Sequence, residues 1–155
     1  MSNLYGVNAT YVRNSPPSKV PAGEVNGRLR VAYDQYTLLA DTATTDTIYL
    51  QKIPAGARVH QVVVVADDLD ASGGTLDCGW AASAGGVHVA DPNGFLNAVD
   101  ITTSGGTSTL MTGNLPNGAG QFKQFTEEVQ VTVVPSADWD ATSGTIKVAV
   151  YYTMD

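Results

Sequence analysis

The sequence predicts an all-β protein: a single β-sandwich domain of jelly-roll type, with about eight strands and an extended N-terminal arm. The composition is rich in β-branched residues, with 19 Val and 17 Thr against 10 Leu and 3 Glu. Because good helix formers are this scarce, a helical bundle or a coiled coil is excluded. Short segments alternate between apolar and polar residues, as half-buried strands do. With 155 residues, the chain suits one domain whose core needs neither a disulfide nor a metal.

The chain divides into an extended arm, residues 1–27, and a β-sandwich domain, residues 28–155. Asn, Ser, Pro and Gly interrupt every hydrophobic pattern in the arm, and Pro16-Pro17 stiffens it. Aliphatic and aromatic residues nevertheless recur along its length. A segment of this kind is typically ordered by a neighbour, so we expect the arm to bind its own body or another subunit.

The first predicted strand is segment 28–34. Leu29, Val31 and Tyr33 alternate there with charged and small residues, so these three side chains share one face of a half-buried strand. A second strand is predicted at 46–53 from its β-branched and aliphatic content.

A tight reversal is predicted after the second strand, at Pro54-Ala55-Gly56. Pro presets φ for a turn and Gly accepts a positive φ. A third strand, 58–66, follows directly, so the second and third strands are predicted to form a hairpin. From Val62 to Val65 this third strand is apolar on both faces, which is typical of a strand at the centre of a sheet.

Residues 75–82 form the fourth predicted strand, and the best helix candidate comes next, at 91–99. Asp91 is a favoured N-cap residue and Pro92 suits the first helical position, although Gly94 weakens the pattern. We therefore expect one short helix between the fourth strand and the following loop.

The last third of the chain returns to strands. Segment 102–119 is rich in Thr, Ser, Gly and Asn, which predicts a long loop with one short strand at 109–112. A short strand is predicted at 121–125. Segments 128–133 and 145–152 alternate regularly and predict two further strands.

The charge is negative and unevenly distributed. The formal net charge is −7, which argues against a nucleic-acid partner. Residues 1–30 carry four Lys or Arg against one Glu, whereas residues 31–155 carry four against fourteen acidic residues. A basic arm on an acidic body favours attraction between copies of the chain.

The sequence predicts neither a membrane-spanning helix nor a signal peptide. The longest apolar run, Val62 to Ala66, is far shorter than the roughly 18 residues of a membrane-spanning helix. The N-terminus has neither a cationic start nor an apolar run, so we expect no signal peptide and synthesis in the host cytoplasm. The single cysteine, Cys78, allows no internal disulfide.

An acidic cluster, Asp67, Asp68, Asp70 and Asp77, is open to two interpretations. Its D-x-D-x-S-G spacing resembles the opening of a calcium-binding loop, but Gly79 stands where a bidentate Glu is required. The other interpretation is an Asp- and Gly-rich turn between strands whose Asp side chains cap their own backbone, and we favour it. His60 and His88 lack neighbouring ligands and are interpreted as half-exposed strand residues, so we expect no metal or cofactor.

No catalytic constellation is evident. Ser83 lacks the first glycine of a nucleophile elbow, and Cys78 stands mid-strand beside Trp80, as a small buried residue would. The glycine-rich segments lack the Lys-Ser/Thr of a phosphate loop. We therefore expect neither enzymatic activity nor a small-molecule ligand.

Two aromatic residues are candidate partner contacts. Trp139 stands between Asp138 and Asp140 in a predicted turn, where it could stack on a sugar ring, fold over the end of the sandwich or anchor a subunit contact. Tyr151 and Tyr152 occupy opposite faces of the last strand, so one faces the core and the other is free for a partner. We assign Trp139 and Tyr151 as candidate contacts.

A family resemblance rests on several short motifs in order. They are Leu50-Gln51-Lys52-Ile53-Pro54-Ala55-Gly56-Ala57-Arg58-Val59, then Val62–Asp68, then Gly79-Trp80-Ala81-Ala82-Ser83, then Asp91-Pro92-Asn93-Gly94-Phe95-Leu96. Together they resemble the small virion proteins of tailed bacteriophages over residues 28–152. That resemblance implies a structural role beside the major capsid protein. Some members of this group are cement (decoration) proteins that clamp neighbouring capsomers, and none offers catalytic residues to carry over.

The sequence therefore predicts a capsid cement protein on the outer surface of a phage head, self-associated as a dimer or trimer and bound to the major capsid protein. The residues expected at the capsid or subunit interface are the aromatic and basic residues of the arm and its junction: Tyr5, Tyr11, Arg13, Lys19, Arg28 and Arg30. Two alternatives stay open. One is a host-glycan or receptor-binding module that uses Trp139 and the Asp67–Asp77 loop, and the other is a tail or connector component.

Overall fold

In the structure, a computed structural model, the secondary-structure elements of the described residues are β-strands. The structure describes residues 16, 19, 27–38, 42–71, 73–82, 85–103, 107–110 (backbone only) and 122–154. The strands are β1 Arg30–Leu38, β2 Ile48–Ile53, β3 Ala57–Ala66, β4 Thr75–Ala81, β5 Asp91–Asp100, β6 Thr107–Leu110, β7 Gln124–Phe125, β8 Val129–Pro135 and β9 Gly144–Met154. Over these ranges, no helix has the length and apolar content needed to cross a membrane.

The strands form two antiparallel sheets. The large sheet has the order β1-β9-β3-β6, with the two-residue β7 added beside the start of β3, and the small sheet has the order β2-β8-β4-β5. With β7 set aside, the first strand pairs with the last, the second with the next to last, and so on inward. This nested pairing is a long hairpin rolled into two layers, the jelly-roll topology. The predicted all-β sandwich is confirmed.

The core lies between the sheets and is built from alternating aliphatic residues. In β3, Val59, Val62 and Val64 are fully buried. A bulge between Val59 and Gln61 shifts the alternation by one residue, which lets Val59 and Val62 face the same side. Because β3 pairs with both β9 and β6, its predicted position inside a sheet is confirmed.

The predicted hairpin of the second and third strands is wrong. Ile53 at the end of β2 pairs with Val129, whereas Ala57 at the start of β3 pairs with Met154 and Phe125. The Pro-Ala-Gly turn therefore carries the chain from the small sheet to the large one. Turn chemistry determines where the chain reverses, but the sheet that receives the next strand depends on distant partners.

The predicted helix at 91–99 is also wrong, because these residues form β5 at the edge of the small sheet. Pro92 is tolerated there, since an edge strand leaves one row of amides unpaired. Gly94 is required for packing, because a Cβ at this position would overlap the indole ring of Trp80. Pro92, which suited a helix start, and Gly94, which weakened the helix pattern, are thus both compatible with a bulged edge strand, whose register with β4 shifts twice.

The remaining strand predictions agree with the structure to within a few residues. The predicted strands at 75–82, 128–133 and 145–152 correspond to β4, β8 and β9. The short strands at 109–112 and 121–125 overlap β6 and β7, although 111–121 lie outside the described residues. The arm prediction also falls largely outside them, so the boundary at residue 27 stays a prediction.

Candidate interaction surfaces

The strand directions divide the loops between two ends of the sandwich. The end where β1 begins and β9 finishes, which we call the arm-bearing end, contains described residues 27–30, 54–58, 85–90, 122–128 and 151–154. The opposite end, which we call the acidic end, contains described residues 42–47, 67–71, 73–74, 101–103 and 136–143.

Charge separates between these two ends. Within the residues just given, the acidic end has six Asp and no Lys, Arg or His, whereas the arm-bearing end has four Lys or Arg against two Glu. Two of these four, Arg28 and Arg30, belong to the basic segment 1–30 counted above, and the other two balance the two Glu, so the charge difference inside the body comes from the six Asp of the acidic end. A field of this kind orients the molecule toward a charged partner.

Carboxylates at the acidic end bond to loop amides. Asp67 Oδ2 accepts a hydrogen bond from Thr145 N at 2.8 Å, and Asp138 Oδ1 accepts one from Thr44 N at 2.7 Å. Within the small sheet, Asp77 Oδ1 of β4 accepts from Ala98 N of β5 at 2.7 Å. Asp67 and Asp77 thus bond to the backbone of distant segments and not, as predicted, to the backbone of their own turn. No three metal-binding side chains of the described residues come together as a metal site.

Trp139 is buried at the acidic end, with 2% of its surface exposed. Its Nε1 donates to Thr75 O at 3.2 Å, and its backbone N donates to Thr42 O at 2.9 Å. The ring therefore has no open face for a sugar or a partner, and the predicted contact through Trp139 is corrected. The interpretation of a tryptophan folded over the end of the sandwich is the one that the structure supports.

Of the other predicted contact residues, Tyr5, Tyr11 and Arg13 lie outside the described residues. Lys19, Arg28 and Arg30 are exposed, and the last two stand at the arm-bearing end. Tyr151 is half-buried on the outer face of the large sheet, whereas Tyr152 packs against the core.

The outward face is apolar at the start of β1 and at the residue before it. Leu29, Val31 and Tyr33 are each more than half exposed, at 57%, 53% and 58%. The inward positions beside them carry Ala32 and Asp34, whereas Tyr36 and Leu38 further along β1 pack against the core. At its start β1 is therefore the reverse of a usual half-buried strand, whose apolar side chains face the core. Contiguous exposed apolar side chains of this kind mark interaction surfaces.

A second apolar surface, the loop patch, consists of Val87, Val89 and Phe122 at the arm-bearing end. These side chains are 80%, 83% and 60% exposed. Hydrogen bonds hold their backbone: Glu127 Oε1 accepts from Val87 N at 2.6 Å, and Trp80 Nε1 donates to Val89 O at 3.0 Å. Sequence reasoning missed this patch. The signal was present in the apolar residues of a Gly-rich loop, Gly85-Gly86-Val87-His88-Val89.

Phe122 is held in a conformation that is unfavourable for a side chain of its size. Its φ is 59°, in the left-handed region. Such a residue costs about 1–3 kcal/mol and persists only where its surroundings determine it. Here Phe122 N donates to Val59 O at 2.7 Å, and Arg58 Nη1 donates to Phe122 O at 3.0 Å. The exposed ring, edge-on to His60, is thus presented on a fixed backbone.

An open groove of about 440 Å³ lies beside the loop patch. Trp80 lines it, and Lys123 Nζ lies 5.4 Å from the indole centroid. His88 also lines the groove, where its Nε2 accepts a hydrogen bond from Thr126 N at 3.0 Å. That nitrogen is therefore engaged by the backbone. His88 belongs to a loop, so its predicted strand position is wrong, whereas His60 is a half-buried residue of β3 as expected.

Cys78 is a core residue. It is fully buried, and burial followed by the nearby carboxylate of Asp77 raises the pKa of the thiol to about 12. Because the thiolate is the nucleophilic form, Cys78 is inert at neutral pH, as its position beside Trp80 predicts. Ser83 lies outside the described residues.

Comparison with known proteins gives matches in structure alone. No protein-family model matches the chain, and no curated protein does. The fold is similar to a chain of the cyanophage Pam1 capsid asymmetric unit, with a TM-score of 0.65 and 23% identity over 92% of this chain and 97% of that one. It is also similar to a chain of the capsid of Ralstonia phage GP4, with a TM-score of 0.62 and 24% identity over 83% of this chain and 86% of that one. The jelly roll described above is therefore a fold that this chain shares with chains found in two phage capsids.

Proposed function

We propose that the protein is a non-enzymatic virion component, a cement protein that binds the outer surface of a phage head and stabilises contacts between capsomers. One observation carries this proposal. The fold likeness extends over nearly the full length of a chain in two phage capsids, and each of those chains is close to this one in length. The likeness therefore covers the body of a small capsid chain and not a minor part of one.

The arm-bearing end is the surface we propose for the shell. The arm joins the body at Gly27, on the same end as the loop patch, so both can contact one partner. The loop patch offers rigid apolar side chains, and binding such groups sacrifices little conformational entropy. The acidic end suits solvent instead, because burying its carboxylates against a partner would remove their hydration.

The arm is long enough to extend beyond the body and contact a neighbouring subunit. Twenty-six residues ahead of Gly27 span up to about 85 Å when extended, at roughly 3.3 Å per residue. We propose that Tyr5, Tyr11, Arg13 and Lys19 of the arm, together with Arg28 and Arg30 at its junction, bind the major capsid protein or a neighbouring copy. Each contact can be modest, because many copies act together on one shell.

Co-sedimentation with heads that lack the protein tests the proposal. The wild type should bind at a copy number comparable with that of the major capsid protein. A Val87→Ser, Val89→Ser, Phe122→Ser variant should bind at least tenfold more weakly, and so should an Arg13→Glu, Lys19→Glu variant. The matched control is Asp68→Asn, Asp140→Asn at the acidic end, which should bind like the wild type. Failure of the wild type to bind heads would refute the cement role.

Copy number also separates cement from a tail or connector component, which is present in only a few copies per particle. The glycan-binding alternative is not proposed, because the aromatic platform that it requires, Trp139, is buried. Quantitative mass spectrometry of intact particles supplies the measurement.

A further inference from the structure

One edge of β1 is open as far as the structure describes the chain. It is the terminal strand of the large sheet, with β9 on one side and no strand of the described residues on the other. It is nine residues long, from Arg30 to Leu38, and contains no proline. Long regular edges are usually protected against pairing, since their free N–H and C=O groups form a template for another strand.

The positions that face this open edge can be identified from Gln51 in β2. Its Nε2 lies 3.3 Å from Ala32 O and 3.5 Å from Val148 O. One nitrogen can approach carbonyls of two adjacent strands only if both carbonyls point into the gap between β1 and β9. Because the amides alternate in direction along an antiparallel ladder, Val31 and Tyr33 direct their N–H and C=O groups to the free edge.

A hydrogen bond at the next odd position agrees with this assignment. Gln35 N donates to the carboxylate of Asp34 at 2.8 Å, so its N–H is outside the β1–β9 ladder. The Asp34 carboxylate thus covers one donor of the open edge. Charged side chains at inward positions are a known means of limiting unspecific edge pairing.

The charges of β1 are self-complementary about Ala32. Arg30 lies two residues before Ala32 and Asp34 lies two residues after it. If two β1 strands pair antiparallel with Ala32 on the two-fold axis, Arg30 of each copy stands opposite Asp34 of the other. Val31 of each copy then stands opposite Tyr33 of the other, an aliphatic–aromatic cross-strand pair of a favourable kind.

We propose that two copies of the chain associate by antiparallel pairing of their β1 strands about a two-fold axis at Ala32, which joins their large sheets into one continuous sheet. In this register Val31 and Tyr33 exchange backbone hydrogen bonds. Asp34 turns from its own backbone to Arg30 of the second copy, and the freed Gln35 N–H donates to Leu29 of that copy. The apolar outer faces of the two β1 strands meet over the junction.

Other registers lose part or all of this complementarity. An axis at Val31 keeps Asp34 opposite a cation, Arg28, but places Arg30 opposite Ala32. An axis at Tyr33 places Arg30 opposite Tyr36 and Asp34 opposite Ala32. Within β1, only the register with Ala32 on the axis therefore places Arg30 and Asp34 opposite residues of opposite charge. This pairing does not rest on the capsid role proposed above, and it is tested with the isolated full-length chain.

Three single-cysteine variants measure the register: Val31→Cys, Ala32→Cys and Tyr33→Cys, each in the full chain. On the axis, the two copies of position 32 form a non-hydrogen-bonded pair with Cα atoms about 4.5 Å apart, which a disulfide can bridge. Positions 31 and 33 lie about 8 Å from their counterparts, beyond that range. Native Cys78 is buried in all three variants and serves as a common background.

Mild oxidation should therefore yield a disulfide-linked dimer from Ala32→Cys and several-fold less from the two neighbours. More efficient linkage through position 31 or 33 would overturn the register. The absence of linked dimer from all three variants would overturn the pairing itself.

A charge exchange gives an independent test. Arg30→Asp and Asp34→Arg should each weaken dimerisation at least fivefold in sedimentation equilibrium, because each places like charges opposite one another across the axis. The double variant Arg30→Asp, Asp34→Arg should restore wild-type affinity. A wild type that stays monomeric throughout the micromolar range, or a double variant no better than either single one, would overturn the proposal. Melting curves that match the wild type show that each variant is folded.

Discussion

The two ends of the sandwich use aromatic residues in opposite ways. At the acidic end, Trp139 is buried and its indole N–H bonds to the backbone, so the ring supports the fold. At the arm-bearing end, Phe122 is exposed on a backbone held at positive φ. At the acidic end, side chains bond to the protein's own loops. At the arm-bearing end, hydrogen bonds hold the backbone so that apolar side chains are exposed. This difference supports the proposal that the arm-bearing end, and not the acidic end, contacts a partner.

The largest expected effect is the loss of stability in Trp139→Ala. Truncating a fully buried tryptophan removes packing and leaves a cavity, at a cost of about 3–5 kcal/mol in the free energy of unfolding. The counterpart at the other end, Phe122→Ala, loses only its edge contact with His60, worth about 1 kcal/mol. Urea denaturation of both variants measures the contrast. Equal losses would mean that the two aromatic residues do not differ in role.

A smaller effect is expected from the carboxylates of the acidic end. Asp67→Ala removes the acceptor of the Thr145 amide and should lower the free energy of unfolding by about 1 kcal/mol. Asp68→Ala is the matched control. Its side chain is exposed beside Asp67, so its substitution should change stability by less than about 0.5 kcal/mol. If the two variants unfold at the same urea concentration, the loop-tying role of Asp67 is wrong.

These contrasts also show which features the sequence can predict. The alternation in 145–152 and the apolar run at Val62 to Val65 identify strands because burial on one or both faces leaves a period in the local sequence. The separation of charge between the ends was accessible as well. With the two-residue β7 set aside, strand direction alternates along the chain, so every second loop lies at the same end, and the loop Asp residues fall in one set of loops.

Other features depend on partners that are distant in sequence. Asp91 and Pro92 satisfy the local rules for a helix start, but the pairing of β5 with β4 and the space left for Trp80 decide in favour of a strand. Trp139 stands between two Asp residues, which suggests exposure, yet it is buried and donates hydrogen bonds to the carbonyls of Thr42 and Thr75. The outward apolar face of β1 is visible as a periodic pattern, although the pattern alone leaves open which face is buried.

A glycine variant, Phe122→Gly, tests whether the backbone at the arm-bearing end is strained. Gly adopts positive φ without the penalty of about 1–2 kcal/mol that a side chain incurs there. Phe122→Gly should therefore be more stable than Phe122→Ala by about 1 kcal/mol, while both variants lose the same ring and bind phage heads equally weakly. Denaturation together with co-sedimentation checks both statements. A glycine variant less stable than the alanine variant would mean that the backbone at this position is not strained.

The smallest effect concerns pH at the acidic end, where β5 finishes. The pKa of Asp100 is lowered because its carboxylate accepts hydrogen bonds from the backbone N and then from the hydroxyl of Thr102. A carboxyl whose pKa is lower in the folded state stabilises the fold above its unfolded pKa, near 3.9, and this contribution is lost as the pH falls through the lower folded value. The wild type should thus melt slightly above Asp100→Asn at pH 7, and the gap should close in strong acid. A gap that persists unchanged at pH 2 would show that the bond to Thr102 does not depend on the charge of Asp100. The acidic end would then owe its loop structure to geometry alone.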